Sequence, residues 1–120
     1  MKNKIFLAID FDGTIADKIN DVLILKENAK EALQALKAAN CFILIDSNRA
    51  NPYRKKPETV EKSLVEMKSF LDLYEIPYDM ITGISFPASG KPIADFYIGN
   101  RHINFTSWKE IAKNIINIEI

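Results

Sequence analysis

The sequence has very little of two residue types that mark particular protein classes. Its 120 residues include one cysteine, Cys41, and one histidine, His102. A lone cysteine cannot form an internal disulfide and lacks the spacing of a cysteine-based metal motif, so a disulfide-stapled scaffold and a zinc-finger fold are excluded. This cysteine usage is typical of a reducing compartment, and we expect a cytoplasmic protein.

No charge of one sign predominates either. Sixteen Lys and Arg residues balance sixteen Asp and Glu residues, so the formal net charge is zero. Proteins that bind nucleic acids or membrane surfaces usually carry an excess of basic charge. We therefore expect neither partner, and expect a small molecule instead.

Long hydrophobic runs are also missing. The first apolar run, Ile5 to Ile9, meets Asp10 after five residues. That is too short for a signal peptide or a membrane span. A chain of this length is expected to form a single domain, residues 1–120, with one core and no room for a separate cap domain.

Strand and helix patterns alternate along the sequence. Short apolar runs predict buried strands, and apolar residues at three- and four-residue intervals predict helices. The predicted strands are 5–9, 41–45, 78–84 and 96–98, and the predicted helices are 28–39, 57–75 and 107–116. This alternation predicts an α/β fold with a parallel sheet and right-handed crossovers.

Polar residues follow three of the four predicted strands. They are Asp10 with Asp12, Ser47, and Asn100 with Arg101. In open parallel sheets, ligands bind at the carboxyl ends of the strands. The sequence therefore predicts a binding site that these residues share.

The Asp10-Phe11-Asp12-Gly13 segment suggests the chemistry of that site. Residues two apart on an extended chain point to the same side, and Gly13 then permits a sharp turn. Two carboxylates so close repel each other unless a cation or proton lies between them, and Mg²⁺ favours such oxygen ligands. An ordinary polar turn is the alternative, but the preceding apolar run and the following Gly13-Thr14 favour the metal-binding interpretation.

The segment from Ile9 to Ile15 resembles the first motif of the haloacid dehalogenase superfamily, Asp-x-Asp-Gly-Thr after the first strand. Ser47 matches the Ser/Thr that ends the second strand of that family, and Lys91 matches its third-motif lysine. The stretch 90–98 is similar to the corresponding segment of small capless members. The resemblance implies a three-layer, Rossmann-like domain without a cap and, counting the predicted strands along the chain, a strand order of 3-2-1-4.

The resemblance also implies a Mg²⁺-dependent phosphatase that hydrolyses a small phosphomonoester through an aspartyl-phosphate. Asp10 would be the nucleophile and Asp12 the general acid and base. Ser47 and Lys91 would hold the phosphoryl oxygens. The other candidate substrate contacts are Gly13, Thr14, Asn48 and Arg49, and the candidate Mg²⁺ ligands are Asp10, Asp12 and Asn100.

The fourth motif departs from the family pattern. One or two aspartates normally follow the fourth strand, whereas this chain has Gly99-Asn100. An asparagine offers a carbonyl oxygen without a charge, so weak Mg²⁺ binding is expected. A catalytically weak or inactive relative that binds phosphate or a partner is therefore the alternative, and an open site of this kind is compatible with a homo-oligomer whose neighbouring subunit shields it.

Basic residues near the motifs have two interpretations. His102 is expected to be a solvated loop residue, with substrate contact as the alternative. The basic loop of Arg54, Lys55 and Lys56 is likewise expected to be solvated. Arg49 follows Ser47 closely and is favoured as a substrate contact.

Overall fold

The computed structural model describes residues 4–82, 94–99 and 107–120. The strands are β1 (Ile5–Asp10), β2 (Ala16–Ile19), β3 (Val22–Leu25), β4 (Cys41–Asp46), β5 (Met80–Thr82) and β6 (Phe96–Ile98). The helices are α1 (Ala29–Ala38), α2 (Pro57–Leu73) and α3 (Trp108–Ile116), and a single 3₁₀ turn spans Asn48–Ala50.

Four strands form a parallel sheet in the order β5-β4-β1-β6. This order matches the predicted 3-2-1-4, and the α/β class is confirmed. The central strand β1 pairs residue by residue with β4, from Ile5 beside Cys41 to Asp10 beside Asp46. Because all four strands run the same way, their carboxyl ends meet at one edge of the sheet.

The helices share a core with one face of this sheet. Alternate residues of the central strands, Leu7, Ile9, Ile43 and Ile45, belong to the core cluster that also contains the buried side chains of α1, α2 and α3. Leu44, on the other face, is buried outside that cluster. The described residues thus form two layers, the sheet and the helices packed on one of its faces. The predicted third layer is not seen among the described residues, and segments 83–93 and 100–106 lie outside them.

An antiparallel hairpin of β2 and β3 follows the first strand, in a segment for which no strand was predicted. Ile19 pairs with Val22, so the turn has two residues, Asn20 and Asp21. Both have positive φ angles, 51° and 63°, as a type I′ hairpin turn requires, and Asn and Asp tolerate this conformation better than most residues. The Asn-Asp pair between two four-residue runs was the signal that could have revealed the hairpin.

Two aspartates attach the outer strands at the opposite, amino-terminal edge. Asp79, just before β5, accepts a hydrogen bond from the Ile43 N–H at 2.7 Å and donates its own N–H to the Ile43 carbonyl at 2.8 Å. Asp95, just before β6, makes the same pair of bonds with Phe6, at 2.7 and 2.8 Å. Asp95 therefore lies at the edge opposite the predicted site.

The lone cysteine lies at the amino-terminal start of β4. Cys41 is fully buried, and burial raises the pKa of its thiol. A neutral buried thiol of this kind is a poor nucleophile. Among the helices in the described parts of the chain, none is long and apolar enough to cross a membrane.

Asp79 links stability to pH. Burial alone would raise the pKa of its carboxyl group, but the Ile43 N–H and the Lys37 ammonium, 2.6 Å away, together hold the pKa below its ordinary value of 3.8. A lowered pKa in the folded state stabilises the fold above the ordinary pKa, and this stabilisation is lost as the pH falls through the lowered value.

We predict that Asp79→Asn lowers the free energy of unfolding by about 1 to 2 kcal/mol at roughly pH 7. The difference from the wild type should shrink once the pH drops below about 4. Urea denaturation at both pH values measures this, with Glu61→Gln on the exposed face of α2 as the control. A difference that stays constant with pH would remove the carboxylate of Asp79 from this role.

Candidate functional site

The carboxyl edge of the sheet brings together residues far apart in sequence. Asp10 ends β1, Asp46 ends the neighbouring β4, and Gly99 follows β6 on the other side of β1. Ser47 comes directly after Asp46. The predicted nucleophile therefore ends one strand, and one predicted phosphoryl-binding residue directly follows the adjacent strand.

Asp10 and Asp46 are register partners on parallel strands, so their side chains lie on the same face of the sheet. Both residues are half-buried. The register thus places two carboxylate side chains next to each other at the carboxyl edge of the sheet. Asp46 was not among the predicted site residues, because its position beside Asp10 depends on the strand register.

Gly99 is in close contact with the Asp10 side chain. A Cβ atom on residue 99 would lie 2.6 Å from Cγ and 2.9 Å from Cβ of Asp10. Carbon atoms of residues that are not neighbours in the chain do not approach each other this closely. Only glycine at position 99 leaves the Asp10 carboxylate in its place, a constraint that the sequence pattern did not reveal.

A tight loop after β1 carries Asp12. The Phe11 carbonyl accepts the N–H groups of Thr14, Ile15 and Ala16 at 2.9 to 3.3 Å, and Gly13 has a φ of 78°, which glycine adopts without strain. Phe11 is fully buried whereas the Asp12 side chain is 47% exposed. The loop thus directs the second carboxylate toward solvent beside the end of β1.

Arg49 forms a bidentate salt bridge with the Asp12 carboxylate. Its Nε and Nη2 atoms donate to the two carboxylate oxygens at 2.9 and 2.6 Å. Paired bonds between a guanidinium and a carboxylate fix orientation as well as distance. Arg49 therefore lies within the predicted site and orients its second acid, while its predicted contact with substrate stays a prediction.

Two further contacts hold Arg49 itself. Its Nη1 donates to Glu66 of α2, and its Cζ lies 5.6 Å from the centre of the Phe11 ring. The arginine side chain is only 16% exposed. Glu66 lies 17 positions after Arg49 and outside every motif, so nothing in the sequence connected it to the site.

Ser47 is 4% exposed, and its backbone N–H donates to the Thr82 carbonyl at 2.8 Å. Within the described residues its Oγ atom has no hydrogen-bond partner. Leaving a buried hydroxyl unsatisfied costs about 1 to 3 kcal/mol, so such a group in a folded protein calls for an explanation. A bound ligand that hydrogen-bonds to the hydroxyl would supply one.

Thr14 and Asn48 occupy different surroundings. Thr14 is fully buried, and its carbonyl accepts the indole N–H of Trp108 at 2.8 Å. Its hydroxyl also has no partner among the residues that the structure describes. Asn48 begins the 3₁₀ turn and is half-buried. The predicted substrate contacts of both residues stay predictions.

Several predicted site residues lie outside the described residues: Lys91, Asn100, Arg101 and His102. In the parts of the chain that are described, no group of three or more His, Cys, Asp or Glu side chains is placed to hold a metal ion. Asp10 and Asp12 nonetheless supply the hard oxygen atoms that Mg²⁺ prefers. The Mg²⁺ site therefore stays a prediction, and Asn100, one of its predicted ligands, lies outside the described residues.

Comparison with known proteins supports the fold alone. No family model and no curated protein matches the sequence. A solved structure, that of a conserved protein from Bacteroides thetaiotaomicron, superposes with a TM-score of 0.67 at 19% sequence identity. The match covers 94% of this chain and 90% of that one. At this identity the likeness extends to the arrangement of helices and strands and not to activity.

The contact between Gly99 and Asp10 is testable by a double-mutant cycle. We predict that Gly99→Ala costs about 1 to 3 kcal/mol of unfolding free energy in the wild type, because the added methyl group must displace the Asp10 side chain. In an Asp10→Gly background the same change should cost less by about 1 kcal/mol or more. Urea denaturation of the four proteins measures this coupling, and an equal cost in both backgrounds would refute the steric explanation.

Proposed function

We propose that this protein is a Mg²⁺-dependent phosphatase that hydrolyses a small phosphomonoester through an aspartyl-phosphate on Asp10, as the resemblance to the haloacid dehalogenase superfamily implies. The observation that carries the proposal is the buried Ser47 hydroxyl without a partner among the described residues, directly after the strand that pairs with β1 and ends beside Asp10. A phosphoryl oxygen is an acceptor that would satisfy it. Asp12, oriented by Arg49, supplies the second carboxylate that the chemistry needs.

The reaction would proceed in two displacements. In the first, an Asp10 carboxylate oxygen attacks phosphorus, the bond to the leaving oxygen breaks, and Asp12 gives that oxygen a proton. In the second, Asp12 takes a proton from a water molecule, which attacks phosphorus and releases phosphate and the free Asp10 carboxylate. Splitting the hydrolysis in this way replaces one difficult step with two easier ones.

Charge must be balanced around a dianionic phosphoryl group that approaches Asp10. Mg²⁺ held by Asp10, the Asp12 carbonyl and Asn100 would supply positive charge that offsets this repulsion. Lys91 would add charge at the transferred oxygens, as its place in the third motif implies. Ser47 would donate its hydroxyl hydrogen to one of those oxygens, and Gly99 leaves the space that the Asp10 carboxylate occupies.

A phosphate- or partner-binding protein without catalysis is the second candidate function. The amide at Asn100 favours it, since the family pattern has a carboxylate there. Such a protein would keep the Ser47 and Arg49 contacts but would hold Mg²⁺ too weakly for turnover. Phosphate binding without hydrolysis at saturating Mg²⁺ would distinguish this function from the phosphatase.

The first test is hydrolysis of an aryl phosphate at increasing Mg²⁺ concentration. We predict measurable turnover that requires high Mg²⁺, and we predict that Asp10→Asn abolishes it while the fold is kept, because the amide cannot act as the nucleophile. Beryllofluoride, which mimics an aspartyl-phosphate, should bind the wild type and not the variant. Full activity in Asp10→Asn would remove Asp10 from the mechanism.

The second test concerns the Arg49 contact. We predict that Arg49→Ala lowers kcat by about tenfold or more because the Asp12 carboxylate loses both hydrogen bonds that orient it. Arg49→Lys should be nearly as impaired, since an ammonium group cannot reproduce the two-pronged geometry. Steady-state kinetics measures both variants, with Lys56→Ala as the control in the adjacent loop. Wild-type kcat in Arg49→Lys would show that charge alone suffices.

A further inference from the structure

An open groove lies beside Asp12, between the β2–β3 hairpin and the first half of α2. It has a volume of about 810 Å³, within the range of ligand-binding clefts. Lys18 and Asp21 come from the hairpin side, and Lys62 and Glu66 come from α2. The Asp12 and Arg49 side chains also line it, so the groove begins at the carboxylate that would protonate a leaving group.

The charges along this groove are not all paired with each other. Arg49 is bound to Asp12 and Glu66, and the Lys18 ammonium lies 3.7 Å from the second Glu66 oxygen. Lys55 and Lys62 also line the groove, and neither forms an ion pair with any described residue. The groove is therefore lined by two ammonium groups that form no ion pair with an acid of the described residues.

The groove lining carries more basic than acidic side chains. Four are basic (Lys18, Arg49, Lys55 and Lys62) and three are acidic (Asp12, Asp21 and Glu66). Asp12 and Glu66 are both bound by Arg49, and Asp21 in the hairpin turn forms no ion pair with a described residue. Lys62 and Thr59 are three positions apart on α2 and so share one helix face. Lys62 on α2 and Lys55 in the loop before it thus offer two ammonium groups to the groove, which the neutral Thr59 also lines.

We propose that this groove binds the leaving-group part of a phosphomonoester substrate that carries a second anionic group, a carboxylate or a phosphate, and that Lys55 and Lys62 bind that group. The inference rests on the proposed phosphatase function for the placement of the transferred phosphoryl group at Asp10. The leaving-group part of a substrate held there would extend past Asp12 into the groove, because the Asp12 side chain lines the groove. The distal anion would then meet the lysines that lack partners among the described residues.

A matched pair of non-hydrolysable ligands tests the proposal in the intact protein. Hexylphosphonate and 6-phosphonohexanoate have the same chain length and differ by one terminal carboxylate, and the flexible chain allows the carboxylate to reach the lysines. Isothermal titration calorimetry at low salt should give 6-phosphonohexanoate a Kd lower by about tenfold, the effect of one charge-assisted contact. Lys55→Gln and Lys62→Gln should each reduce this preference, and the double variant should abolish it.

Lys68→Gln is the control, because Lys68 lies further along α2 and does not line the groove. It should keep the full preference. Equal affinity of the wild type for the two phosphonates, binding of neither, or a preference that survives in the double variant would overturn the proposal. Hydrolysis of phenyl phosphate is measured in parallel and tests the proposed function separately. A lack of hydrolysis would refute the phosphatase function, whereas the difference in Kd between the two phosphonates would still test the groove.

Discussion

The register of β1 between β4 and β6 is the constraint on which the rest of this structure depends. It places the Asp10 carboxylate beside Asp46 on one side and against Gly99 on the other. A shift of one residue would move Asp10 to the opposite face of the sheet, where the helices pack. Asp79 and Asp95, at the other edge, bind the backbone of the neighbouring strands and so help to hold this register.

Arg49 connects the loop after β1 to helix α2. It joins the loop after β1, through Asp12 and the Phe11 ring, to Glu66 on α2. A guanidinium with three such contacts and little exposure loses most of its conformational freedom on folding, so its position is set before any ligand arrives. The α2 helix carries both Glu66, which binds Arg49, and Lys62, which lines the groove. One helix therefore positions both side chains.

Much of the fold followed from local pattern, and much of the site did not. The apolar runs of β1 and β4 and the spacing of α2 predicted those elements closely, because buried strands and amphipathic helices are encoded in neighbouring residues. The roles of Gly99, Asp46 and Glu66 depend instead on strand register and helix packing, which join residues far apart in sequence. The hairpin of β2 and β3 was missed because two short, partly exposed strands give a weak periodic signal.

If Asp10 carries the phosphoryl group during turnover, chemical trapping should detect the aspartyl-phosphate. The protein is mixed with an aryl phosphate and Mg²⁺, quenched, reduced with borohydride and analysed by peptide mass spectrometry. Reduction of an acyl phosphate converts the aspartate to homoserine, so we predict this change at residue 10 in the presence of substrate and its absence in Asp10→Asn. Turnover with an unmodified Asp10, or with the modification at another residue, would contradict the account.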